Sequence, residues 1–561
     1  MKLKTLIKNR KELFIILSII LAVAIIAVLL ILLLPAKKPA PAEHDILNSL
    51  PSNIACVPYL KNGSLYIMQD GESSLISEKV YDDDDVEKAQ LFDYVWSCSG
   101  SELLYLKNAE DCGELMHYKN GSNQLIAKGV TSWCTVEKMD RAAYIIDEDS
   151  ALQTGMLMLY YNNSSILLDI NVQPSSVRFS SDGNYLYALK CHDTSELSTG
   201  IGDLIRYDMQ GKGEIIQKDV YGINWISYDG SSYICLSQNA DTITYDYLIV
   251  SGELSTTITG VYAANISDDR SIMYLLADFN SELEMGTLYA LSIADLNKRE
   301  LAQNVAYINP GGITDLTQGI LYSTPGDMAG RYDINYVTSS GKIYTLISDG
   351  FEESLYTIYL NTQKQTGYIL MHGVSADRHT LHYVKWSNGN IEDKKLDEHV
   401  HEIIYYEACD SILYIKNGSG NTADLYMVTG DQERKLVAEG TGAIYNSADQ
   451  SYYSCSLLSN DGKKALYFTN LINTEESELE SHPIASLYGT MHIIDLETGK
   501  STEISKQVVA NAALSIMTDA NMENIYFMTL NGERLNLCQY ASGETAVLDE
   551  SIMNMLVPTM Q

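Results

Sequence analysis

Several shortages in this sequence each exclude a class of protein. Proline numbers 10 in 561 residues, which removes collagen-like and Pro-rich chains. Basic residues are scarce, with 38 Lys and Arg against 73 Asp and Glu and a net charge of −35. The segment up to Lys38 opposes that balance: Lys2, Lys4, Lys8, Arg10, Lys11, Lys37 and Lys38 face Glu12 alone. The remainder therefore holds 31 basic and 72 acidic residues, a net of −41. Such a surface repels a polyanion, so nucleic acid is excluded as a partner. Helical periodicity is nearly missing. Val86–Phe92 and Ser551–Leu556 are the stretches with room for short helices. An α/β fold, with helices of about ten or more residues between its strands, finds no place for them. No Cys-X-X-Cys occurs. The absence of a Gly-X-Ser-X-Gly elbow argues against a hydrolase segment of the prolyl-oligopeptidase kind.

One long apolar run is present. Leu13–Leu34 holds a single polar residue, Ser18. At about 1.5 Å per residue it reaches about 33 Å, enough to cross a bilayer core, and it is too long for a signal-peptide core. Five basic residues precede it and two follow, which places the N-terminus in the cytoplasm. The expected order is a basic cytoplasmic tail (1–12), a transmembrane signal-anchor helix (13–34), an extended spacer (35–50) and an acidic extracytoplasmic part.

After the spacer a phrase recurs: a polar turn, often Asp-Gly, then an apolar run containing Tyr. It centres on Tyr66, Tyr105, Tyr144, Tyr187, Ile234, Tyr274, Tyr322, Tyr383, Tyr414, Tyr467 and Tyr526. The first six intervals lie between 39 and 48 residues, and the later ones are 61, 31, 53 and 59. A second phrase follows most copies, a strand, a polar turn and another strand, as in GDLIRYDMQGKGEIIQKDV. Runs such as Leu103–Leu106 and Ile272–Ala277 are apolar on both faces and need cover on both. Tyr, at 40 copies against 7 Phe, supplies rings that fill space between sheets while the hydroxyl finds a partner. The period and strand count predict an all-β chain of four-stranded antiparallel β-propeller blades. Room for eleven or twelve units suggests two propellers in tandem, 51–305 and 306–561, with a boundary within 305–350. One large ring is the alternative.

The phrase SxDGxxLxY, best matched by Ser181-Asp182-Gly183 to Tyr187 and Ser459-Asn460-Asp461-Gly462 to Tyr467, resembles the TolB-type, WD-like propeller repeat. It is also similar to the YWTD-type propellers of bacterial membrane-anchored proteins. The resemblance implies a fold and a cell-envelope setting, and it implies no particular partner.

Candidate chemistry concentrates in one stretch. His372, His379, His382, His399 and His401 are half of the chain's ten histidines. On a single strand His399 and His401 would share a face, and a Zn or Cu site would combine His399, His401, His382, His372 and Asp397, with Glu402 as a further candidate. His401-Glu402 begins a zincin-like string, but position 405 is Tyr. Asp82–Asp85 offers oxygens to Ca²⁺ without the alternation of an EF-hand loop. Gly499-Lys500-Ser501 and Gly418-Ser419-Gly420 sit in hairpin turns and make no nucleotide site. The nine Cys read as small core residues, one at least unpaired.

Nothing in this inventory assembles a nucleophile, a base and an oxyanion donor. The expectation is therefore a membrane-anchored scaffold without enzymatic activity or cofactor, binding a protein or a cell-envelope ligand. A metal- or polymer-responsive sensor and an enzyme with its site in the propeller channel are the alternatives.

Overall fold

Strands that are apolar on both faces must be sandwiched, and the chain solves this by stacking one small sheet on the next. The structure, a computed structural model, describes residues 50–557 except 82–91, 97–101, 109–111, 193–200, 239–243, 351–355, 372–378, 447–450, 474–486, 511–514 and a few single or paired loop positions. The run 13–34, the spacer to residue 49 and Asp82–Asp85 thus lie outside the described residues, and among those described no helix is long and apolar enough to cross a membrane. Apart from strands, the regular elements described are two single-turn 3-10 segments, Pro174–Ser176 and Glu407–Cys409. Ser551–Leu556, where the sequence leaves room for a helix, holds instead a strand end and the short strand Asn554–Met555.

By hydrogen bonding the described strands form eight sheets, one of eleven strands and one of eight; since these two run through three and two successive units, the strands divide into eleven four-stranded antiparallel units, here called sheets. Their second strands, numbering sheets 1 to 11, are Val57–Lys61, Leu103–Lys107, Arg141–Asp149, Tyr185–Cys191, Ser232–Gln238, Ile272–Asn280, Gly319–Pro325, Thr366–Met371, Ser411–Ser419, Lys464–Asn473 and Asn524–Asn531. Sheet 4 is typical: Arg178–Phe179, Tyr185–Cys191, Gly202–Asp208 and Gly213–Val220 pair in that order. The second and third strands are buried and the fourth is the exposed edge. Sheet 8 gains a fifth strand, Gly312–Ile313, donated in parallel from the first loop of sheet 7.

Where a first strand turns into the second, a Ser and an Asp staple the chain. Ser180 Oγ donates to Asp182 Oδ1 (2.7 Å), that carboxylate accepts the Asn184 N–H, and Ser180 Oγ accepts the Tyr185 N–H. Ser227 with Asp229, Ser267 with Asp269 and Ser459 with Asp461 repeat the pattern. Local bonds of this kind define Asx turns. The recurring Ser-x-Asp is therefore a structural signature. Gly183, Gly230 and Gly462 supply the left-handed residue, and Arg270 takes that conformation in the copy without Gly.

The ends of eight of the fourth strands are equally regular. A residue with positive φ precedes a buried one: Gly129 before Val130, Asn171 before Val172, Asp219 before Val220, Gly260 before Val261, Asn304 before Val305, His399 before Val400, Gln507 before Val508 and Ser551 before Ile552. The buried residue faces the start of the third strand, often Gly, as in Val130 to Gly113 and Val305 to Gly286. A Cβ on either glycine would lie 2.7 Å from a carbonyl oxygen of the second strand, so the sheet needs glycine there.

Burial links each sheet to the next. Leu106, Leu115, Tyr144 and Tyr160 join sheets 2 and 3. Tyr187, Leu189, Leu204 and Cys235 join sheets 4 and 5. Sheets 6, 7 and 8 share one cluster that includes Tyr274, Ile320, Tyr336, Ile358 and Trp386, so the window 305–350 runs through a continuous core. The described residues all fall within one compact unit, Ile46–Gln561. Within that unit the series closes on itself. Asn554–Met555 pairs with Val57–Lys61 as the first strand of sheet 1, and Tyr59, Trp96, Leu537 and Ile552 share a cluster spanning sheets 11, 1 and 2. The described residues are therefore almost all-β and built of propeller blades.

The register corrects two of the repeat centres. Tyr66 and Tyr383 lie on third strands, and the second-strand positions of sheets 1 and 8 are Tyr59 and Tyr368. With Tyr368, the intervals of 61 and 31 become 46 and 46, from 322 to 368 and on to 414. Cys112, Cys134, Cys191, Cys235, Cys409, Cys455 and Cys538 are free thiols.

Tyr187 and Tyr467 are both buried, and the Tyr187 hydroxyl donates to the Gly230 carbonyl of the next sheet. Tyr187→Ala should cost about 3–5 kcal/mol, read as a lowered denaturation midpoint. Deleting residues 553–561 removes the closing strand with buried Met555 and Leu556. The truncated chain should melt earlier, with the amides of Val57–Lys61 exchanging first. A truncated chain as stable as the full one would refute the closure.

Candidate functional site

The histidine-rich stretch spans sheets 8 and 9, and each described member has a local role. His399 is exposed and holds φ +60 at the left-handed step before Val400. That step separates the strands Asn390–Glu398 and Val400–Tyr406, so the alternation that would give His399 and His401 a common face does not cross it. His401 packs edge-on to Tyr452, with ring centres 4.9 Å apart. His382 Nδ1 is 2.8 Å from Asp393 Oδ1 on the neighbouring strand. His379 is buried, and its carbonyl accepts the Val400 N–H. Glu402 accepts the Ser454 N–H (2.8 Å). His372 lies outside the described residues.

Asp397 is occupied by other donors. Its buried carboxylate accepts from Lys416 Nζ (2.7 Å), Tyr414 Oη (2.9 Å) and the Glu398 N–H (2.8 Å), and Arg434 stands 2.6 Å away. Burial by itself raises its pKa, but the hydrogen bond from Lys416 and its other donors outweigh that and hold it below the ordinary carboxylate value. The same position, three residues before the buried end of a fourth strand, is acidic in two other sheets. Asp549 accepts from Lys61 Nζ (2.6 Å) and from the Tyr59 hydroxyl. Asp169 accepts from Lys190 Nζ (2.7 Å) and Tyr207 Oη (3.0 Å). In each case the acid ends one sheet and the lysine sits on the second strand of the next. These are inter-sheet clamps. The Asp549 clamp crosses the junction between sheets 11 and 1, where the series closes.

Among the described residues, one group of three potential ligands has its ligand atoms within 4.8 Å of one another: His192, Asp203 and Asp219. It contains none of the residues singled out from sequence. The three are 11 and 16 positions apart, His192 just past the second strand of sheet 4 and the other two on its third and fourth strands, and no local spacing marks them. The signal that would find them is the strand register, which the sequence alone does not fix.

The comparisons come to fold only. No known protein family and no curated protein matches the sequence. Among solved structures, the chain is similar to a eukaryotic initiation factor at 9% identity, covering 90% of this chain and 96% of that one, with a TM-score of 0.39. It is similar to the tricorn protease at 12% identity, covering 80% and 49%, with a TM-score of 0.22. The β-propeller domain of the Trilobed protease from Pyrococcus furiosus matches at 12% identity over 55% of this chain and 98% of that one, with a TM-score of 0.27. The acylaminoacyl peptidase of Pyrococcus horikoshii matches at 11% identity, covering 62% and 58%, with a TM-score of 0.26. Three of these four structures come from proteases or peptidases, and the expectation of a chain without enzymatic activity is withdrawn. No reaction passes to this chain from a likeness of that degree.

Removing the acid of a clamp leaves a buried lysine unpaired, so Asp397→Ala should cost about 3 kcal/mol in unfolding free energy. The depressed pKa values of Asp397 and Asp549 fix a sign. Their contribution is complete above the unfolded carboxyl value of about 4 and is lost as pH falls through the lower folded value. Stability measured from about pH 4 downward should fall less steeply in Asp397→Asn than in the wild type. At the neighbouring step, His399→Gly should be neutral or stabilising by up to about 1 kcal/mol, because glycine tolerates positive φ. A destabilised His399→Gly would give the imidazole a role beyond this step.

Proposed function

We infer that this chain is a single-pass, N-in membrane protein that carries TolB-type, WD-like propeller blades outside the cytoplasm as one closed ring, and that this ring binds a protein or cell-envelope ligand. The observation that carries the reading is the seat of the chain where the spacer ends. Leu50 donates its N–H to Asn460 Oδ1 (2.8 Å), and Asn460 Nδ2 donates to the Leu50 carbonyl (2.9 Å). The Ala520 N–H donates to the Pro51 carbonyl (2.7 Å), and the Asn460 N–H to the Ala520 carbonyl (2.9 Å). The spacer is thereby rooted on the turns of sheets 10 and 11, on a defined side of the ring. A short basic tail, an apolar run and a Pro- and Ala-containing spacer lead into that root, the order expected of an anchored display domain. A net charge of −41 beyond residue 38 suits a surface held in water and apart from anionic lipid. Rigid sheets with loops at both ends are a common platform for recognition. A metal-responsive role is the second reading, favoured by the grouping of His192, Asp203 and Asp219.

Protease added to intact cells should remove a tag placed at the C-terminus, and a tag degraded only after permeabilisation would overturn the topology. A photo-crosslinking residue at exposed Tyr228, on a turn of sheet 5, or at exposed Leu167, on the edge of sheet 3, should trap the ligand in living cells. Absence of any adduct from both positions would overturn the binding reading.

A further inference from the structure

The carboxylates of the three inter-sheet clamps each meet a lysine. The group at the end of sheet 4 is built differently. His192 follows directly on the second strand, Tyr185–Cys191. Asp203 lies on the third strand, opposite Lys190. Asp219 lies on the fourth, at the left-handed step before Val220, which in turn faces Gly202. Three adjacent strands thus bring three side chains to one end of one sheet. Asp203 Oδ1 is 2.9 Å from His192 Nε2, and Asp219 Oδ1 is 3.6 Å from His192 Nδ1. Among the described residues no lysine or arginine lies within 4.0 Å of either carboxylate.

Two carboxylates bring two negative charges to one sheet end, and a single imidazole can balance at most one of them. A divalent ion removes that repulsion and can take a ring nitrogen and both oxygens as ligands. The backbone gives a second, separate reason. The step before Val220 asks only for positive φ, which Gly129, Asn171, Gly260 and Asn304 meet without charge in their own sheets. Asp219 meets it with a carboxylate directed at the same sheet end.

We propose that His192, Asp203 and Asp219 form a surface site for one divalent transition-metal ion of the zinc class, with water completing the coordination. One imidazole and two carboxylates suit Zn²⁺ or a similar borderline ion, and the absence of thiolate from the set disfavours Cu(I). His192 and Asp219 are exposed, so both side chains are free to turn toward the ion and water reaches it directly.

The test is a titration of the full-length chain in detergent, stripped with chelator, with zinc chloride at pH 7.5. Saturable binding of one ion is expected. His192→Ala should weaken it at least tenfold, and Asp219→Asn by roughly tenfold, on the scale seen when metal-site hydrogen-bond partners are lost. Asn accepts the left-handed conformation, so the second variant keeps the fold. Affinity should drop at pH 5.5, because protons compete with the ion for its ligands. His399→Ala should leave it unchanged, which separates this group from the histidines between His372 and His401. Equal zinc affinity in the wild type and His192→Ala overturns the proposal. So does a His192 ring that stays doubly protonated at pH 7.5 with zinc present, because the group is then an ion pair.

Discussion

A stack of sheets that buries both faces of every sheet has an unsolved problem at its two ends, where a bare apolar face would meet water. Closure is the constraint on which the rest of this structure depends. It is met by a strand of two residues, Asn554–Met555, hydrogen-bonded beside Val57–Lys61, with the Met553 N–H bonded to the Leu60 carbonyl and the Leu556 N–H to the Pro58 carbonyl. So short a strand is weak by itself. The cluster shared by sheets 11, 1 and 2 and the Lys61–Asp549 pair with its Tyr59 hydroxyl reinforce it. Val57–Lys61 and Asn554–Met555 therefore depend on each other, although about 500 residues apart in sequence.

The second recurring device is the left-handed step that ends eight of the fourth strands. It lets one residue finish a sheet and begin the next: Val130 pairs with Gly113 behind it and Ile146 ahead of it. The step tolerates Gly, Asn, Asp, His, Gln and Ser, because its demand is on φ and the side chain points outward. Residues that look like chemistry in the sequence can accordingly be there for conformation. His399 is one of them. Asp219 occupies the same kind of position, and its two neighbours distinguish it.

Much of the architecture was legible because it is written locally. Asp-Gly and Asn-Gly turns, apolar second strands and a period near 45 residues recur within a single blade, and each is set by contacts a few residues apart. The copies at Tyr66 and Tyr383 were placed one strand late, for a reason the register makes plain. SADRHTLHYVKW imitates the turn-and-strand phrase but precedes a third strand, and sheet 1 takes its first strand from the far end of the chain. Asp169, Asp397 and Asp549 show the limit from another side. Each stands three residues before a buried strand end, yet its partners lie 17 to 38 residues away or, for Asp549, 488 and 490 away. The Asp397 that composition offers as a metal ligand is the same residue that register turns into a clamp. His192, Asp203 and Asp219 were passed over for the converse reason, since their proximity arises only once three strands are in register.

The seat of Leu50 and Pro51 has a mechanical consequence. Tension applied to the chain ahead of Leu50 arrives first at Leu50 and Pro51. There it is divided between the Asn460 side chain of sheet 10 and the Ala520 backbone of sheet 11. The load is taken by two adjacent sheets before it travels along residues 52–56 to Val57. The seam between the last sheet and the first, held by a two-residue strand, is therefore shielded from peeling by a grip placed upstream of it.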